Sequence, residues 1–162
     1  MQSKFGILDW LIIGGGFHGT HLSLRLLNHA RSKRHKLRVL DPHPEALWMW
    51  NHCTRNTGMK FLRSTIVHHM GMDPMDLKKF PGKQLRKRKL HDKYFQGRYL
   101  KPKYELFQRH CRKVIADHNL EELRIQGRAV GFNRYGNGWS VETDKGTLMS
   151  KRVVLALGLS EQ

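Results

Sequence analysis

The sequence predicts an α/β protein in which a parallel sheet is followed by a small antiparallel β-meander. Two observations support this class. An apolar run, three consecutive glycines and a helical pattern follow one another within residues 8–30, and a second apolar run ends at Asp41. Three short alternating segments later precede a last apolar run that ends at Gly158. With 162 residues, 39% of them hydrophobic, the chain can bury a core, and we expect one domain over residues 1–162.

The first forty residues predict a parallel βαβ unit. Residues 8–13, which are apolar except for Asp9, predict a first strand buried on both faces. Leucines at helical spacing then predict a helix to about Ala30, and residues 37–40 predict a second short strand. Two strands joined by a helix lie parallel in one sheet, so this unit forms the start of the parallel sheet.

In the rest of the chain the spacing of the apolar residues changes twice. Residues 43–102 lack a clear period and predict loops and short helices rather than a second core, whereas apolar side chains at helical spacing predict a helix over 103–118. Short alternating runs then predict three strands, with a hairpin turn at Asn137-Gly138, because both positions of such a turn favour positive φ. Residues 152–158 predict a final buried strand.

The motif Gly14-Gly-Gly16-Phe-His-Gly19 matches G-x-G-x-x-G and lies between a predicted strand and a predicted helix. Gly14 allows a sharp turn out of the strand, Gly16 lets a pyrophosphate approach the backbone, and Gly19 lets helix and strand pack closely. The phosphates then face the N-terminus of a helix that begins near Phe17. His18 either touches phosphate or lies on the helix surface.

Asp41 follows the second predicted strand about twenty residues after the motif, where an acid accepts hydrogen bonds from the adenosine ribose hydroxyls. Its carboxylate would repel a 2′-phosphate, so the motif predicts the ADP moiety of FAD or NAD. A glycine-rich turn without a ligand is the less favoured interpretation in this context.

The net charge of +17 is concentrated in residues 77–93, within a basic loop that we expect at about 77–103. A solvated loop is favoured over a nucleic-acid site, because this segment lacks the spaced aromatic residues that stack on bases. Nucleic acid therefore remains the less favoured partner.

Other features predict a cytoplasmic protein without a transmembrane segment. No apolar run approaches the roughly 20 residues that span a membrane. Cys53 and Cys111 are far apart and are predicted to be reduced thiols. His68 and His69 are adjacent and have no third ligand at a set spacing, so we predict no metal site.

The order of these elements resembles the FAD-binding domain of flavoproteins that bind two dinucleotides, a Rossmann-like fold. In that family a β-meander leads into a last parallel strand that ends in glycine beside the cofactor. In an NAD-only domain a helix would normally replace the meander. The middle of the chain resembles the flavin-dependent ornithine and lysine N-hydroxylases, relatives of the flavin-containing monooxygenases. The similar segments are residues 47–50, 56–59, 61–64, 76–77, 99–102 and 104–107.

The resemblance implies FAD as the cofactor and places its contacts in four parts of the chain: the glycine motif, the end of the second strand, the middle region, and the meander with the last strand. No catalytic residue is assigned. The candidate cofactor-binding residues are Gly14, Gly16, Phe17, His18, Gly19, Asp41, Pro42, Trp50, Met59, Arg63, Ala129, Val130, Ala156 and Gly158.

The family also implies a function: an NADPH-dependent monooxygenase in which NADPH reduces the flavin. Residues 1–162 contain one glycine motif, so we expect the N-terminal portion of a larger flavoenzyme with a further NADPH- and substrate-binding domain, or a natural short relative. The alternatives are a non-catalytic module that binds NAD and a module that binds a polyanion through the basic loop.

Overall fold

The computed structural model describes residues 5–29, 33–82 and 93–158, which fall into two compact units. The first unit lies within residues 1–51 and 119–162, and the second within residues 52–118. The prediction of one dinucleotide-binding domain over 1–162 stays a prediction. Much of the predicted basic loop, residues 83–92, lies outside the described residues.

The first unit contains the predicted parallel sheet. Helix α1 (Phe17–Leu27) connects two of its strands, which confirms the βαβ unit. The predicted strand over 8–13 is divided at Asp9, and its first part, β1 (Ile7–Leu8), pairs with the other sheet of this unit. The parallel sheet has the strand order β10-β2-β3-β6, with β2 (Trp10–Ile13), β3 (Leu37–Asp41), β6 (Arg124–Gln126) and β10 (Val153–Leu155).

The predicted meander forms the second sheet of this unit, with β1 added parallel to its last strand. Its hairpin turn is Gly136-Asn137, one residue earlier than predicted, because Tyr135 pairs with Gly138. Only Gly136 has positive φ (54°), a sign pattern typical of a type II′ turn, which needs glycine at its first central position alone. The strands are β7 (Ala129–Tyr135), β8 (Gly138–Thr143) and β9 (Gly146–Ser150).

The core of the first unit lies between the two sheets. Burying each of its aliphatic side chains contributes about 1.5–3 kcal/mol. The last strand was predicted to be buried, but the structure differs. β10 lies at the edge of the parallel sheet, and Leu155 is 59% exposed. An apolar run alone does not distinguish an edge strand from a central one. The buried core cluster consists of Leu8, Leu11, Ile13, Leu40, Val141 and Leu148.

The second unit contains the predicted long helix, α4 (Tyr104–Asp117), which buries one face and ends before Asn119 in the left-handed conformation (φ 48°). The middle region has short elements, as expected, and also buried apolar side chains such as Leu62, Leu77 and Phe95. Its remaining elements are α3 (Asp76–Lys79), β4 (Phe95–Gln96) and β5 (Lys101–Pro102), while α2 (Trp48–Asn56) crosses the boundary between the units.

Two histidines of the second unit are buried against each other. The Gly71 N–H donates to Nδ1 of His69, so the proton of this ring is on Nε2, which donates to the Pro74 carbonyl at 3.1 Å. His110 is 3% exposed and lies edge-on to His69 and Phe80. Burial lowers the pKa of His110 to about 4 from its usual 6.5. The nearby His69 also lowers this pKa, whereas Asp76 raises it.

His110 is therefore expected to destabilise the fold in acid. Below pH 6.5 the unfolded chain takes up a proton that the folded chain accepts only near pH 4, so stability is lost as the pH falls through this window. The loss is up to about 1.4 kcal/mol per pH unit. His110→Leu should have a flatter dependence of the unfolding free energy on pH, measured by urea denaturation between pH 7 and 4. Exposed His68→Gln is the control. Parallel curves for wild type and His110→Leu would contradict the assignment.

Candidate dinucleotide-binding site

The glycine turn begins where β2 ends. Gly14 donates its N–H to the Leu40 carbonyl at 2.8 Å and has φ 108°, a conformation that L residues rarely adopt. A Cβ at Gly14 would overlap the carbonyl oxygen of Ala156 and lie 2.9 Å from its carbon. The turn therefore requires glycine here for its backbone conformation and for its contact with the residue that follows the last strand.

The first turn of α1 packs directly on this turn. A Cβ at Gly19 would overlap the Gly14 carbonyl oxygen and lie 3.4 Å from the Ala156 side chain. The fold thus brings two glycines of the motif together with Ala156 from the other end of the sequence. This arrangement matches the close helix–strand packing that the sequence predicts for Gly19.

Gly16 has the opposite environment. It is the N-cap of α1 (φ −69°, ψ −168°), and a Cβ there would meet no atom within 4 Å. The N–H groups of the first turn of a helix point out of its N-terminus, since no carbonyl of a preceding turn faces them. The first turn carries no acidic side chain. Open space in front of the N-terminus of α1, where the helix end is positive, is the environment that a pyrophosphate requires.

Aromatic side chains adjoin this helix end. The half-buried Phe17 ring lies 6.5 Å from the ring of Trp50 and 6.5 Å from His21, to which it is parallel within 3°. His18 is exposed, which favours its position on the helix surface. The structure thus brings the candidates Phe17 and Trp50 together beside the glycine turn.

Asp41 is 7% exposed and holds the turn from the end of β3. Its Oδ2 accepts from the Gly15 N–H at 2.5 Å, and its Oδ1 accepts from the His43 N–H at 2.9 Å. Both carboxylate oxygens are therefore engaged with the backbone of the chain. The predicted contact of Asp41 with a ribose stays a prediction. Pro42 beside it is exposed.

Leu47 also secures the turn. Its N–H donates to the Gly15 carbonyl at 2.9 Å, and the hydroxyl of Thr20 donates to the same oxygen at 3.1 Å. Leu47 is buried and has φ 62°, which is rare for a leucine. Sequence reasoning gave no indication of this role, because leucine carries no signal for a left-handed conformation.

Arg124, at the start of β6, is a further residue that the sequence analysis missed. Its side chain is 7% exposed, and Nε lies 3.1 Å from the Glu121 carboxylate. Nη2 donates to the His43 carbonyl at 2.8 Å and lies 3.6 Å from Oδ1 of Asp41. Nη1 is buried without a hydrogen-bond partner among the described residues. An unpaired buried donor costs about 1–3 kcal/mol.

The glycine turn accommodates this guanidinium closely. A Cβ at Gly15 would overlap Nη1 of Arg124 and lie 3.1 Å from the Cβ of Asp41. Gly15 is an unspecified position of the motif, yet here only a glycine leaves room for Arg124 as placed. Gly15 of the turn therefore packs on Arg124, which forms ion pairs with the carboxylates of Asp41 and Glu121.

The remaining candidates lie elsewhere. Ala129, at the start of β7, packs against the core cluster, whereas Val130 is 64% exposed. Gly158 is exposed after β10. Met59 is half-buried and Arg63 is exposed, and both belong to the second unit. Cofactor contacts of all these residues stay predictions.

Two further observations concern chemistry and location. Neither Cys53 nor Cys111 forms a disulfide, and burial raises the pKa of the Cys111 thiol to about 12. Within the described parts of the chain, no group of three His, Cys, Asp or Glu side chains is placed to hold a metal ion. None of the described helices is long and apolar enough to cross a membrane.

The fold and the glycine turn define a dinucleotide-binding protein. The model of the FAD-NAD(P)-binding family matches residues 11–160, so the chain belongs to this family. FAD is the cofactor that the family and the Rossmann-like fold support, and the open face of Gly16 at the start of α1 fits its pyrophosphate. A search of curated proteins found no match.

Solved structures with a similar fold include a disulfide reductase and two monooxygenases. Bacillithiol disulfide reductase from Staphylococcus aureus is 15% identical, with a TM-score of 0.59 over 98% of this chain and 39% of that chain. A cyclohexanone monooxygenase mutant from Rhodococcus sp. Phi1 bound to NADP+ is 18% identical, with a TM-score of 0.60 over 94% of this chain and 26% of that chain. The flavin-containing monooxygenase from Stenotrophomonas maltophilia is 17% identical, with a TM-score of 0.58 over 96% of this chain and 38% of that chain. The chain thus spans 26% to 39% of these structures.

Proposed function

We propose that the chain is the FAD-binding part of an NADPH-dependent flavoprotein monooxygenase of the N-hydroxylase type. The observation that carries this proposal is the glycine turn: Gly16 is open at the N-terminus of α1, and Ala156, directly after the last strand, packs against Gly14. The resemblance of residues 47–50, 56–59 and 61–64 to the N-hydroxylases supports the finer assignment, and a fold shared with two monooxygenases is compatible with it.

In this function the residues of the chain bind and orient the cofactor. The N–H groups of Phe17 and His18 face the pyrophosphate, and the positive end of α1 stabilises its charge. Asp41 and Leu47 hold Gly15 by hydrogen bonds to its N–H and carbonyl, which keeps the turn ready for the ligand without a further ordering cost. The bound FAD supplies electron transfer and oxygen activation.

The electron donor and the substrate belong to the same proposal. The chain spans 26% to 39% of the three similar structures described above, one of which is bound to NADP+. We propose that NADPH and the substrate bind to a further C-terminal domain. The reduced thiols of Cys53 and Cys111 fit a reducing compartment, and a cytoplasmic location is part of the proposal.

A titration with FAD tests the proposed function. Binding should quench the fluorescence of added FAD and give the purified protein a flavin absorbance spectrum. NAD+ should compete weakly, because an FAD site also contacts the flavin. The chain with FAD alone should not oxidise NADPH, whereas a longer chain that includes the proposed further domain should. Absence of FAD binding, or tighter binding of NAD+ than of FAD, would contradict the proposal.

The net charge of +17 favours a second candidate function, the binding of a polyanion. Binding of this kind releases counterions, so the affinity for a DNA or RNA oligonucleotide should fall steeply with salt concentration. A fluorescence anisotropy titration at two salt concentrations measures this dependence. A flat salt response would exclude the second candidate.

A further inference from the structure

The acid that the sequence pattern assigns to the ribose is already engaged by the chain. Both oxygens of Asp41 accept backbone hydrogen bonds, from Gly15 at 2.5 Å and from His43 at 2.9 Å, and the residue is 7% exposed. Arg124 lies 3.6 Å from Oδ1 of the same carboxylate. To accept from a ribose hydroxyl as well, Asp41 would have to share or give up a contact that holds the glycine turn.

Whereas both acceptor oxygens of Asp41 are occupied, Arg124 has a hydrogen-bond donor that is not used within the described part of the chain. Its Nε and Nη2 are directed to Glu121, Asp41 and the His43 carbonyl, while the buried Nη1 has no hydrogen-bond partner among the described residues. Nη1 packs against Gly15, on the side where any other residue would carry its Cβ. A guanidinium stays charged at any physiological pH and donates five hydrogen bonds, so an unused N–H beside a ligand-binding turn is a donor for a ligand oxygen.

We propose that Arg124, through Nη1, binds a hydroxyl oxygen of the adenosine ribose of the bound dinucleotide, and that Asp41 positions Arg124 and the turn. The inference rests on the proposed binding of a dinucleotide at this turn. Arg124 meets the turn at Gly15 and the end of β3, where the ribose binds in this fold, whereas the phosphates bind at the start of α1. Because Nη1 is covered by the turn, the guanidinium must move on its flexible stem when the dinucleotide binds.

Two probes that differ only in the ribose test this contact: ADP and 2′,3′-dideoxy-ADP, titrated by calorimetry. Wild type should bind ADP about tenfold more tightly than the dideoxy compound, since a hydrogen bond to a charged donor contributes about 1.5–3 kcal/mol. Arg124→Leu should bind ADP about tenfold more weakly than wild type and no longer discriminate between the probes. Exposed Arg128→Leu is the matched control and should retain the wild-type pattern.

Two further variants keep the test decisive if Arg124→Leu does not fold. Arg124→Lys keeps the charge near both carboxylates but lacks the planar fork, and Gly15→Ala displaces the guanidinium with a methyl group. Both should lose the discrimination between the probes, whereas Asp41→Asn should retain part of it. Equal affinity of wild type for both probes, or full discrimination in folded Arg124 variants, would overturn the proposal.

The same experiments separate this inference from the proposed function. Binding of ADP with the expected dependence on Arg124, but without binding of FAD, would contradict the FAD-dependent function and leave the ribose contact supported. Binding of FAD with a discrimination that depends on Asp41 and not on Arg124 would overturn the ribose contact alone. Undetectable binding of ADP to wild type would also overturn it.

Discussion

Gly19→Ala is expected to prevent stable folding of the first unit. The added methyl group would overlap the carbonyl oxygen of Gly14 and lie 3.0 Å from its carbon. Both atoms belong to the backbone of a turn that is fixed by Leu40, Ala156 and the helix itself, so neither side can yield cheaply. We expect a loss of about 3 kcal/mol or more, measured by urea denaturation and by the melting temperature.

Gly16→Ala is the matched control, since it adds the same methyl group three residues earlier in the same turn. Gly16 has an ordinary φ of −69°, and no atom lies within 4 Å of the added carbon. Alanine is a poorer N-cap than glycine, so a loss of about 0.5–1 kcal/mol is expected. Similar stabilities for the two variants would show that the close packing of α1 on the turn does not hold in solution.

The sequence predicted the elements that depend on local patterns. The βαβ unit follows from an apolar run, three glycines and a helical period, and the meander follows from alternating runs between turn residues. The glycine spacing also predicted which positions are crowded and which are open, since Gly19 is closed by Gly14 and Gly16 faces no atom. These properties arise from residues that are neighbours in the chain.

Features that depend on distant pairing could not be predicted in this way. The role of Arg124 follows from the parallel pairing of β6 with β3, which places its side chain beside Asp41. No residue type or spacing near Arg124 indicates that partner. The edge position of β10 likewise depends on strand order, and an apolar run leaves this order open. The sequence pattern likewise predicted Asp41 as a hydrogen-bond acceptor for the ribose. It could not predict that the same carboxylate accepts a hydrogen bond from Gly15 of the turn.

Gly16→Val is expected to separate binding from folding. Valine can adopt the conformation of Gly16 (φ −69°, ψ −168°), and its side chain projects into space where the structure has no atom within 4 Å of the Cβ. The fold should therefore survive. A branched side chain before the first N–H groups of α1 blocks the approach of a pyrophosphate to the backbone, which is the contact that the glycine motif provides.

The expected result is a loss of FAD affinity of at least about tenfold, which corresponds to about 1.4 kcal/mol, in a fluorescence titration. The loss should increase from Gly16→Ala to Gly16→Val, since the larger side chain keeps the phosphates farther from the N–H groups. Equal melting temperatures of the two variants would assign the difference to binding. Wild-type affinity in a folded Gly16→Val variant would place the dinucleotide elsewhere, because no pyrophosphate can lie against α1 with a valine at this position.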